Sequence, residues 1–188
     1  MLHKTMTALT LALAALAMQA TAALAHPHVW VTSKSEVVFA EDGSATGVRH
    51  HWTFDEMFST FATQGLDAKK PGGLTRDDLA SLAEVNITSL KDFDFFTHAR
   101  VDGKKAPFVE PKDYWLDFKD GALTLNFTLP FKTPVKAKTL AFEIYDSSFF
   151  VDFAFAKDGA GTLAGTPPPA CKVAVSSARD TSATPQKP

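Results

Sequence analysis

The stretch His26-Pro27-His28-Val29-Trp30 holds the residue types and spacing best suited to chemistry in this chain. If the chain is cut after Ala25, His26 carries a free α-amine beside its own imidazole, and His28 adds a second imidazole two residues on. Reference pKa values near 7.7–8.0 for the amine and near 6.5 for imidazole let a borderline divalent metal displace both protons easily around neutral pH. Such donors suit zinc, nickel, cobalt and copper. Pro27 has no N–H, which excludes the square-planar amino-terminal site built on deprotonated backbone amides. What remains is chelation by the amine and Nδ1 of His26, with His28 as a further ligand.

Exposing that terminus requires processing, and the first 25 residues read as a signal for it. His3 and Lys4 precede an apolar run from Met6 to Met18, and Ala23-Leu24-Ala25 supplies small residues for cleavage. This run is too short for a spanning helix, which needs about 20 apolar residues, and no other stretch of the chain is a candidate. Residues 1–25 are therefore expected to be a signal peptide, 26–175 a single domain without a transmembrane span, and 176–188 a disordered tail. With 19 basic against 21 acidic residues, the chain offers no sign of nucleic-acid binding. Cys171 is the single cysteine, so an exported chain has no internal disulfide, and its expected place is as a small apolar residue in a late strand. Stability must then come from a core to which 16 Phe contribute.

The elements that position the histidines follow from periodicity. Val29, Val31, Val37 and Phe39 share one parity with Ser33 and Ser35, which predicts a strand, and Glu41-Asp42-Gly43-Ser44 predicts a hairpin turn. Centring the turn on Asp42-Gly43 places Val31 opposite Phe54, Thr32 opposite Thr53, Glu36 opposite Arg49 and Val37 opposite Val48, all favourable pairs. The same register argues against a four-histidine site. His51 falls opposite Lys34 and His50 opposite Ser35, which is about 23 Å along the strand from His28. His50 and His51 also point to opposite faces. Trp30 falls opposite Asp55, with Glu56 beside Val29, so these two carboxylates are the favoured partners of the terminal histidines. Asp55 also has the character of an N-cap for a helix starting at Glu56.

That first helix is expected over about 56–66, and a second from Thr75, with Asp78 as a capping-box acid and Leu79, Leu82, Ala83, Leu90, Phe93 and Phe96 toward the core. His98 is expected near its end, where the helix dipole favours a cationic imidazole. Beyond Val101 the chain reads as strands at Tyr114–Lys119 and Leu123–Leu129. Thr139–Tyr145 and Phe149–Phe155 read as a further pair, joined as a hairpin through Asp146-Ser147-Ser148. That hairpin would set Glu143 against Asp152, a like-charge pair that makes Asp146 and Asp152 worth testing as cation ligands. The fold class is α+β: a mostly antiparallel sheet or sandwich with two helices inserted after the first hairpin.

Three stretches together carry a family resemblance: the signal followed at once by His-Pro-His-Val-Trp, then His51-Trp-Thr-Phe-Asp-Glu-Met-Phe-Ser59, and Tyr145-Asp-Ser-Ser-Phe-Phe-Val-Asp-Phe153. They resemble the bacterial periplasmic family called domain of unknown function 1007, whose members are associated with nickel, cobalt or zinc transport. The resemblance implies a periplasmic location and a membrane metal transporter as partner. It points to His26, His28, Trp52, Phe54, Asp55, Phe58, Tyr145 and Asp146. Ser147 and Phe149 stand where many relatives have Pro and Tyr.

The leading expectation is therefore a periplasmic accessory protein that binds a divalent transition metal through His26 and His28, with Asp55, Glu56 and Asp146 as further candidate ligands. It needs no catalysis. Two alternatives stay open. One is a copper oxidoreductase with an N-terminal histidine-brace-like site, which needs a third imidazole near His26. The other is a non-metal interaction module for a membrane permease.

Overall fold

The computed structural model describes residues 28–68 and 73–177. The signal segment, His26, most of the Lys69–Gly73 break and the tail beyond Ser177 lie outside the described residues. β1 (Val29–Phe39) and β2 (Ala45–Phe54) form the expected hairpin, with all four anticipated pairs in place. The register slips only at Val38/Phe39, where a bulge moves Phe39 opposite Ala45.

Along β1 the odd positions Val29, Val31, Ser33, Ser35 and Val37 are buried. The two serines sit where bulk is needed from across the strand, since Ser33 faces Trp52 and Ser35 faces His50. Small opposite large keeps the layer filled. The Ser35 hydroxyl also lies 2.8 Å from Nδ1 of His50, whose Nε2 lies 3.2 Å from the Thr97 hydroxyl. Thr97 already donates to the Phe95 carbonyl, so it accepts from Nε2–H, and His50 is the neutral Nε2–H tautomer accepting from Ser35. Burial, with a smaller push from neighbouring His51, lowers its pKa from 6.5 to about 3.

A second hairpin, β5 (Tyr114–Lys119) and β6 (Ala122–Val135), pairs through β6 with β2. On the other side of β1 lie β8 (Val151–Phe155) and β9 (Gly161–Gly165), both parallel to it. A smaller sheet has the order β4 (Lys104–Ala106), β3 (Thr97–Val101), β7 (Leu140–Ile144). Its Thr97 and Phe142 reach His50, so the small sheet covers the buried face of the large one. The rest of that face is packed by Leu79, Ala83 and Ile87 of α2 (Arg76–Lys91), and by Phe95 and Phe96. α1 (Glu56–Ala62) follows β2 directly. The fold is α+β, mostly antiparallel, with two helices inserted after the first hairpin.

Three local expectations are corrected. The segments around 139–145 and 149–155 do not pair as a hairpin: β7 joins β3 and β8 joins β1, in different sheets. The Asp146 carboxylate binds the connecting loop instead, accepting from the main chain of Ser148 and Val151. Glu143 therefore faces His98, and Asp152 lies beside Trp30. The second helix keeps its Thr75/Asp78 capping box but stops at Lys91, so His98 sits on β3 and not at a helix end. Between them Asp94, Phe95 and Phe96 all have positive φ (51°, 53° and 47°). Left-handed backbone costs roughly 1–2 kcal/mol per residue, and burying both phenylalanines offsets it. Finally, Cys171 is exposed in a turn closed by its N–H to Pro168, not in a strand.

Candidate functional site

The candidate site lies where the chain enters β1, between β2 and β8. His28 is exposed, and its N–H donates to the Phe150 carbonyl at 2.9 Å, which Val29 N–H shares at 3.2 Å. The Phe150 ring lies 4.9 Å from the imidazole. Phe150 is held in turn by the 146–151 loop. Asp146 is 8% exposed, and its oxygens accept from Ser148 N (2.8 Å), Ser148 Oγ (2.7 and 2.9 Å) and Val151 N (2.9 Å). Burial by itself would raise the Asp146 carboxyl, but the donors from Val151, Ser148 and Phe150 outweigh it and hold its pKa below the usual range. Asp146 thus reaches the histidine stretch through the main chain, with both oxygens engaged by the loop.

Asp55 grips β1 from the other side. Its Oδ1 caps α1 through Phe58 N at 2.8 Å, and its Oδ2 accepts from Trp30 N at 2.9 Å. The capping role is therefore present, and the same carboxylate ties the helix start to the strand two residues from His28. Glu56 is exposed and lies against the 120–121 turn, with its side chain 3.9 Å from the position a Cβ on Gly121 would take. That turn joins β5 to β6, two strands across from β1, or about 10 Å at the sheet spacing. The fold therefore brings Asp55 and the Asp146 loop to His28 and sends Glu56 elsewhere. His26 lies outside the described residues.

The other histidines are placed as the hairpin register requires. His50 is in the core. His51 donates from Nδ1 to Asn126 Oδ1 at 2.6 Å, in an outer-face network that runs on to Asp117 and Arg76. His98 packs tilted against Tyr145, ring centroids 4.7 Å apart, beside a cavity of about 260 Å³ that Asp146 and Phe96 also line. Among the described residues no three His, Cys, Asp or Glu side chains are grouped to hold a metal ion, and none of their helices is long and apolar enough to cross a membrane.

Two structural residues carry roles that periodicity and motifs do not reveal. Ser59, fully buried on α1, donates to the Asp55 carbonyl at 2.7 Å and accepts from Leu123 N at 2.9 Å, which fixes the helix against β6. Its spacing of four from Asp55 is the one local signal for this. Phe150 carries none, because its role is played by the carbonyl and depends on β8 running parallel to β1.

These features define a mostly antiparallel two-sheet α+β domain with a donor-bearing strand start. The chain matches the model of the family described as protein of unknown function (DUF1007) over residues 11–187. It belongs to that family. It is also similar to an uncharacterised 15.5 kDa protein in the trpE 3′ region of Spirochaeta aurantia, 33% identical over 94 residues, spanning 50% of this chain and 67% of that protein.

Proposed function

We propose that this protein is a periplasmic accessory protein that binds a divalent transition metal as cargo, through His26 and His28 at its mature N-terminus, and passes it to a membrane metal transporter. The observation that carries this reading is the anchoring of the His28 main chain by Phe150 and of Trp30 by Asp55. Together they hold an exposed imidazole at the start of a strand paired on both sides, with His26 two positions earlier in the sequence. Anchoring a donor before the metal arrives reduces the ordering cost of binding. The surroundings suit transfer, since Phe149 is 75% exposed and Trp30, Tyr145 and Phe150 are nearly half exposed, an aromatic surface of the kind partners use. The brace-type oxidase reading has less support, because His50 and His51 are committed to the core and to Asn126.

Calorimetric titration with zinc, nickel and copper tests the proposal. The wild-type protein, with its N-terminus verified by mass spectrometry, is expected to bind one ion, and His28→Ala to bind it about 10–100-fold more weakly. Equal affinity in the two proteins would remove His28 from the site.

A further inference from the structure

Resting on that metal-binding reading, we propose that Asp152 is a ligand of the same ion, so that β8 contributes the carboxylate of the site. β1 and β8 run parallel, with Val29 beside Val151 and Trp30 beside Asp152. Side chains two residues apart share a face of a strand. Val29 and Val31 point into the core, so His28 and Trp30 share the outward face of β1. Phe150, immediately before β8, and Asp152 within it alternate to the matching face, and the contact between the His28 and Phe150 rings shows that these faces meet. Asp152 is then the diagonal neighbour of His28, at a backbone separation of about 7–8 Å. An imidazole nitrogen and a carboxylate oxygen, each about 2.0–2.2 Å from one ion, bridge a gap of that size.

The chemistry agrees with the position. An amine and two neutral imidazoles leave both charges of the ion uncompensated, and one carboxylate offsets half of them. Asp152 is half-buried beside the Trp30 strand position, where its charge is less screened than on open surface. The ligand class is a borderline divalent cation held by mixed nitrogen and oxygen donors, a set that permits exchange to a second protein.

The test is a zinc and nickel titration of wild type, Asp152→Asn, Asp152→Glu, His28→Ala and the His28→Ala/Asp152→Asn double variant. Glu110→Gln, which disturbs only an exposed pair with Lys91, is the control. Asp152→Asn is expected to weaken binding at least about 10-fold. Asp152→Glu, which keeps the carboxylate, is expected to restore most of that loss, and thermal melts of both variants show whether the fold is retained. The asparagine change should also cost much less in the His28→Ala background, because the two residues serve one ion. Wild-type binding with an undiminished Asp152→Asn, equal losses for Asn and Glu, or the same loss in both backgrounds would overturn the assignment of Asp152 alone. No binding by wild type would overturn the metal reading itself, and Asp152 with it.

Discussion

Lowering the pH from 7 to 4 is expected to remove about 3 kcal/mol of folding stability through His50 alone. The folded protein holds this imidazole neutral, with a pKa of about 3 imposed first by burial and then by His51. The unfolded chain takes up a proton near the reference value of 6.5, so between those limits the unfolded state binds more protons. The stabilisation is complete above about pH 6.5 and is lost as the pH falls toward 3. Urea midpoints measured at half-unit steps from pH 7 to 4 should show this slope in wild type. The slope should be flattened in His50→Leu, which cannot titrate. That variant will be less stable at pH 7, because the Ser35 hydroxyl loses its buried partner, so the slope and not the absolute stability is the readout. The same slope in both proteins would mean that His50 is accessible to protons in the folded state.

Asp146→Ala is expected to cost about 2 kcal/mol, since it strips a buried anionic acceptor from the Val151 and Ser148 main chain and from the Ser148 hydroxyl of an otherwise exposed loop. The consequence reaches past stability. The loop supplies the Phe150 carbonyl that holds His28 and Val29, so amide hydrogen exchange at residues 28, 29 and 151 should accelerate well beyond the global change. Exchange that rises uniformly across the sheet would show instead that Asp146 contributes only general stability and does not position the strand start. Asp146→Asn, which keeps an oxygen for the same N–H groups, should fall between wild type and alanine.

The first hairpin is legible in the sequence up to the bulge at Val38/Phe39, because alternation and the Asp42-Gly43 turn determine a register in which a one-residue slip would turn every side chain to the wrong face. The same register also places His50, His51 and Asp55 correctly. The α2 start is legible through its capping box, where Thr75 and Asp78 satisfy each other's donors within four residues. Its end is not, because the left-handed turn at 94–96 is imposed by the burial of Phe95 and Phe96 and leaves no mark in helical periodicity. The late strands are recognisable by alternation, but their pairing is not. A short link such as Asp146-Ser147-Ser148 reads as a hairpin locally, whereas the chain turns away there, with Asp146 folded back onto Val151, and β8 pairs with the far side of β1. That diversion is what brings Phe150 and Asp152 to His28. The histidine end of the proposed site is therefore readable from the sequence, while its β8 side depends on a long-range parallel pairing.

If the mature N-terminus holds the metal as proposed, titration should separate the chain beginning at His26 from the same chain carrying one extra alanine before it. The addition removes the α-amine from chelation with the His26 imidazole and leaves every residue from His28 onward in place. Metal binding should weaken by at least about 10-fold in the extended protein. Equal affinity in both would place the ligands elsewhere in the domain and overturn the proposed terminal site.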